Sequence, residues 1–150
     1  MVIVARSHVT KREAQAICDY AADLAGLLNM PGWRILVMEE PTQDDDEAYA
    51  TIDWIDQKHT AQLRLCPSWM KLDDATRREC ITHEVLHLLH ARVSTVALDD
   101  AAVYMRDHDH RDWSRRVRRE FELMVDHLAT FMSRTFKLEE AWDRAHGRTS

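Results

Sequence analysis

Between Trp33 and Cys66 the chain carries three strand-like runs, and on both sides of them the apolar spacing becomes helical. That change of period constrains the fold more than any other feature. The runs are 33–38, 48–55 and 60–66. In the second, Ala48, Ala50, Ile52 and Trp54 alternate with Tyr49, Thr51 and Asp53; in the third, Ala61, Leu63 and Leu65 alternate with Gln62 and Arg64. Alternation of this kind predicts strands with one buried face. The short segment Asp56-Gln57-Lys58-His59 makes the last two a hairpin. Upstream, Thr10-Lys11-Arg12-Glu13 has the pattern of a capping box. Ala14, Ile17, Ala21, Leu24 and Leu28 then follow at helical spacing, until Asn29-Met30-Pro31-Gly32 turns the chain.

Pro67 closes the third strand, and Asp73-Asp74 can cap a helix running to about Val93. A polar loop is expected from about Ser94 to Asp112, then a long helix over 113–136 and a short one over 138–146. The acidic run Asp44-Asp45-Asp46-Glu47 reads as a solvated loop. No Gly/Ser linker or internal repeat divides residues 1–150. The order helix, three strands, helix, helix predicts a single α+β domain, with helices on one face of a small, mostly antiparallel sheet.

Composition narrows the function classes. Hydrophobic residues make up 45% and charged residues 31%, as in a globular protein. A net charge of −6 and a pI near 5.8 argue against nucleic acid as a partner. No apolar run reaches the roughly 20 residues of a membrane span. Met1–Arg6 lacks the apolar stretch of a signal peptide, so a cytoplasmic location is expected. Cys18, Cys66 and Cys80 are odd in number and form no Cys-x-x-Cys pair, so they are expected to be reduced thiols packed as small hydrophobes. The five tryptophans are expected to be core and edge anchors.

The chemistry is concentrated in His83-Glu84-Val85-Leu86-His87. Histidines at i and i+4 lie one turn apart on one helix face. Both can place a ring nitrogen about 2 Å from one zinc ion. A glutamate directly after the first histidine stands beside the metal, able to take a proton from water held there without itself being a ligand. Ile81, Val85, Leu88 and Leu89 project as an apolar stripe, with His83, His87 and His90 opposite, as expected of a core helix lining a cleft.

With Glu122 and Asp126 on a later helix, this segment resembles the gluzincin metallopeptidases, especially their small members, including those encoded by tailed phages. The resemblance covers Trp33 to about Met132. It implies a minimal zincin-like fold, a Zn2+ cofactor, a peptide or protein substrate, and the cytoplasm of a bacterial or phage-infected cell. It also implies a glutamate as third ligand with an aspartate four residues on, which places those roles at Glu122 and Asp126. The metzincin pattern fails, because His90 stands where it needs glycine and Val93 where it needs a third histidine. The segment also resembles peptide deformylase, but that family would want an aspartate at Leu86 and a cysteine ligand in an upstream Gly-Cys-Leu, and this chain has neither.

The helix projection leads to the same acids. Val117, Phe121, Met124, Leu128 and Phe131 mark an expected core stripe. Glu122 lies roughly 120° from it, with Asp126 one turn on, while Glu120 faces away. Asp126 is expected to accept the second ring N–H of a zinc histidine, His83. Glu84 would act as the base in hydrolysis. Candidates for stabilising the oxyanion or lining the cleft are Tyr104, His108, His110 and His90. Arg115, Arg116, Arg118 and Arg119 read as a solvated helix turn, although Arg115 and Arg118 share the Glu122 side and could reach a substrate carboxylate. The strand 60–66, with Gln62 and Arg64, is expected to be the sheet edge that pairs with extended substrate. Specificity could come from a partner protein. The competing expectation is a zinc-bound but catalytically idle structural or interaction domain; the intact Glu84 favours hydrolysis, since a structural site needs no base.

Overall fold

A computed structural model describes residues 8–30, 32–42 and 48–148. The N-terminal segment 1–6 and the acidic run 44–47 lie outside the described residues. Helix α1 spans Lys11–Leu27. The Thr10 hydroxyl accepts the Glu13 backbone N–H at 3.1 Å, so this half of the capping box forms. The reciprocal half does not, because the Glu13 carboxylate turns inward to long-range partners described below. Asn29 ends the helix in the left-handed region (φ 54°), with Met30 N–H on Ala25 O and Asn29 N–H on Gly26 O. This is a Schellman ending.

Strands β1 (Arg34–Val37), β2 (Ala50–Ile55) and β3 (Thr60–Leu65) form a sheet in the order β1-β3-β2. β2 and β3 form the expected antiparallel hairpin, but β1 runs parallel to β3. The sheet is therefore mixed rather than mostly antiparallel. β3 lies in the middle, paired on both sides, and is not the sheet edge expected for Gln62 and Arg64. Burial explains the order. Ala61, Leu63 and Leu65 are fully buried, whereas β2 carries exposed Asp53 and Ile55. The most buried strand takes the centre, between the parallel β1 and the antiparallel β2.

Helix α2 spans Asp74–Tyr104, with Asp73 accepting the Thr76 N–H at 2.9 Å as its cap. It runs eleven residues past Val93, through the segment expected to be a polar loop. Between Pro67 and Gly147 the chain has no proline or glycine to stop a helix. Thr95 turns its hydroxyl onto the Ala91 carbonyl at 2.9 Å, and Ser94 and Ala101 are buried. Only Met105 and Arg106 separate α2 from α3 (Asp107–Thr135), and α4 (Leu138–Ala145) follows.

The core joins α1, the inner face of the sheet, α2 and α4, around Tyr20, Trp69, Ile81 and Trp142. Tyr20 and Trp142 meet edge to face at 5.1 Å. A buried polar clasp closes this end of the molecule. Glu13 accepts from Trp69 Nε1 at 3.0 Å and from Arg77 at 2.8 Å on one oxygen, and meets His146 Nε2 at 2.9 Å on the other. No helix among the described residues is long and apolar enough to cross a membrane.

Candidate metal centre

The α2 segment that bears the histidines is anchored by Ile81, Val85 and Leu86, all at most 1% exposed. Leu89, expected in the same stripe, is 42% exposed instead. The opposite face of α2 brings His83, Glu84 and His87 together as a cluster that could hold a metal ion. His83 Nε2 and His87 Nε2 lie 3.1 Å apart. The Glu122 carboxylate, from α3, straddles them: one oxygen is 3.3 Å from His83 Nε2 and the other 3.5 Å from His87 Nε2. Donors bound tetrahedrally at about 2 Å from one ion sit roughly 3.3 Å apart, so these spacings fit a three-donor site.

Each histidine is oriented from behind. His83 Nδ1 lies 3.0 Å from Asp126 Oδ1, which fixes the Nδ1–H tautomer and leaves Nε2 free to bind a cation. His87 Nδ1 faces His90 Nε2 at 3.4 Å, and the His90 ring stacks on Phe121 at 4.3 Å. Burial and the adjacent His83 and His90 push the His87 pKa down to about 4. At neutral pH it is therefore unprotonated, the form a ligand needs. Glu84 is shifted the other way. Burial, then the charge of Glu122, raise its pKa to about 8, against a backbone hydrogen bond from Ile52 that lowers it.

The cluster opens into a cleft of about 900 Å³ between β2, α2 and α3. Its walls include Tyr49 just before β2, Thr51 and Asp53 of β2, Cys80 of α2, and Arg118 and Phe121 of α3. Comparison with known protein families, curated proteins and solved structures gave no match.

The structure brings together His83, Glu84, His87, His90, Glu122 and Asp126. Tyr104, His108 and His110 do not line the cleft. Tyr104 ends α2 and is 87% exposed, His108 pairs with Asp109, and His110 bonds the Leu98 carbonyl and Ser114. The loop expected to carry them is helix. Gln62 and Arg64 are also outside the cleft, with Arg64 bound to Asp53 at 2.7 Å. The edge strand beside the cleft is β2. Arg115 pairs with Asp112, whereas Arg118 lines the cleft.

The face of α3 that packs inward centres on Val125, Ala129 and Met132; of the expected stripe, Leu128 packs partly on the core and Phe121 stacks on His90, while Met124 and Phe131 are exposed. Glu122 reaches the histidines because it borders this true inner face. The cysteines are free, Cys66 buried and the other two half-buried. Cys80, on the cleft wall, has its pKa raised to about 12 by burial and by Glu84 and Glu79, so it stays a thiol. Its place in the cleft carries no local sequence signal.

Proposed function

We propose that the protein is a zinc-dependent hydrolase of peptide bonds, with His83, His87 and Glu122 as metal ligands and Glu84 as general base. The observation that supports this most is the Glu122 carboxylate lying within 3.5 Å of both histidine Nε2 atoms. Two histidines and a carboxylate are a donor set that suits zinc and leaves a fourth position for water or substrate. Zinc, when bound, polarises the scissile carbonyl and acidifies water. Glu84 accepts the proton as the water oxygen joins the carbonyl carbon, then delivers it to the departing amine nitrogen as the C–N bond breaks. Asp126 and His90 hold the ligand rings in the binding tautomer.

Extended substrate would lie along β2, the sheet edge facing the cleft, where unpaired backbone groups can accept a further strand. Arg118 has no ion-pair partner among the described residues and is placed to meet a substrate carboxylate or carbonyl oxygen. The test is metal analysis of the purified chain combined with a peptide-library digest, with and without chelator. The expected result is one zinc per chain and cleavage that chelator removes and zinc restores. Stoichiometric zinc without cleavage would favour the idle, zinc-holding domain; zinc retained in full by His83→Ala/His87→Ala would refute the site.

A further inference from the structure

Five arginines fall within nine residues of α3, at 111, 115, 116, 118 and 119, in a chain whose net charge is −6. At roughly 100° per residue, Arg111, Arg115 and Arg118 share a stripe about 60° wide, and Glu122 falls within it. The stripe therefore leads along α3 to the metal cluster. Arg118, one turn before Glu122, is the only arginine or lysine lining the cleft among the described residues. Neither it nor Arg111 has an ion-pair partner among those residues. Arg115 meets Asp112 at 3.5 Å, with both side chains more than half exposed. An ion pair of that kind contributes little and exchanges readily for another carboxylate.

The walls of the cleft divide by charge. α2 and α3 run antiparallel: Asp126 meets His83, Phe121 meets His90, and His110 meets the Leu98 carbonyl. Arg118 thus stands past the cluster, at the arm of the cleft that α2 lines with Ser94, Thr95 and Leu98. Among the described residues no acid lines that arm. The carboxyl groups of the cleft lie elsewhere. Glu84 and Glu122 are at the cluster, Asp53 acts on Glu84, and Glu79 stands one turn before His83. A negatively charged ligand group would meet a cation and hydroxyls on one side of the cluster and like charge on the other.

We infer that this cleft takes an acidic peptide segment, selected by Arg118 and, further along α3, by Arg115 and Arg111. The inference rests on the cleft being the substrate site of the proposed hydrolase. Along the helix axis Arg118 is about 6 Å from Glu122, and Arg111 about 16 Å. An extended chain leaving the cleft along α3 advances about 3.3 Å per residue, so its carboxylates should fall about two to five residues from the scissile bond, on one side of it. Each arginine offers a forked donor that a carboxylate can accept.

Binding and cleavage test it separately. Binding is read by fluorescence anisotropy with Glu84→Gln in the presence of zinc, so no turnover intervenes. The probes are a dye-labelled alanine–glycine peptide bearing a run of glutamates and its glutamine counterpart. The glutamate peptide should bind about tenfold tighter, and added salt should shrink the difference. Arg118→Glu in the same background should abolish the preference. Arg116→Glu, which makes the same charge change about 130° around the helix, should keep most of it. Equal binding of the two peptides overturns the inference. So does a preference that survives Arg118→Glu, the result expected if zinc alone captured the carboxylates, or one lost equally in Arg116→Glu. In a library digest by wild type, acids should be enriched on one side of the cleaved bond. Cleavage without that enrichment overturns the acidic preference and leaves the hydrolase standing; binding that depends on Arg118, with no cleavage of any peptide, does the reverse.

Discussion

Glu13 and Glu84 both sit on helices with their carboxyls drawn away from water, and their surroundings are opposite. Glu13 is 5% exposed, and both of its oxygens are taken up by Trp69, Arg77 and His146. The charges around it are of the sign that holds a carboxylate. Glu84 is buried, the charges of Glu122 and Asp53 that act on it are both of its own sign, and only the Ile52 backbone favours the anion. A fold gains nothing from an acid kept in such surroundings. The first arrangement ties four parts of the chain together; the second keeps a carboxyl of raised pKa next to a cluster that could hold a metal ion.

Substitution should separate the two most sharply in activity. Glu84→Gln keeps the shape and removes the base, so hydrolysis should fall by about 10²–10⁴ while zinc content is unchanged. Metal analysis and peptide turnover on the same preparation check both halves, and a variant retaining wild-type turnover removes Glu84 from the mechanism. Glu13→Ala should do the reverse. It leaves Arg77 and His146 without their buried acceptor and should cost about 3–5 kcal/mol in urea unfolding. At temperatures where the variant remains folded, its zinc stoichiometry should be normal. A loss under about 1 kcal/mol would show that the clasp is ornamental.

A smaller effect probes what stands behind the ligands. Asp126 touches His83 Nδ1 and is 62% exposed, so its removal disturbs no core. Asp126→Ala should weaken zinc binding by about 10–100-fold, with unfolding of the metal-free chain unaltered. Competition with a chromogenic chelator reads the first and urea titration the second. Glu122→Ala should lose more, being a proposed ligand, and Glu120→Ala nothing. Equal zinc affinity in all three would dissolve the contrast between ligand, support and bystander.

Much of this was legible in the chain, for reasons that differ by residue. His83, Glu84 and His87 are close in space because they are close in sequence on one helix, so their spacing suffices. Glu122 and Asp126 needed the family resemblance. The helix projection reached them from a stripe, Val117 to Phe131, that coincides with the inner face only at Phe121 and Leu128. α3 packs through Val125, Ala129 and Met132, and leaves Met124 and Phe131 outside. Ser94 to Tyr104 read as a loop from its Ser, Thr and Asp content, but packing on α3 keeps it helical. The central place of β3 depends on its pairing with both β1 and β2, which no strand encodes alone. Glu13 reads locally as half of a capping box; its real partners lie 56 to 133 residues away.

The finest distinction between the two glutamates is their response to pH in the metal-free chain. Glu84 has its folded-state pKa raised from 4.5 to about 8. As pH climbs past 4.5, the unfolded chain releases this proton and the folded chain keeps it, so stability is lost progressively up to about pH 8. His87 has its folded pKa lowered from 6.5 to about 4. As pH falls through 6.5 the unfolded chain takes up a proton that the folded chain refuses, so stability is lost progressively down to about pH 4. The two slopes oppose each other between 4.5 and 6.5, and above 6.5 the Glu84 slope acts alone. Metal-free Glu84→Gln should therefore match wild type near pH 4.5 and exceed it at pH 8, by on the order of 1 kcal/mol once solvent screening of this half-buried group is allowed for. Saturating zinc should erase the difference, because a cation beside Glu84 favours its anion. Glu13→Gln should be less stable than wild type at pH 8, since its carboxylate is already met by Arg77. Urea midpoints at the two pH values decide it: Glu84→Gln weaker than wild type at pH 8 would mean that its charge is held as Glu13 is held.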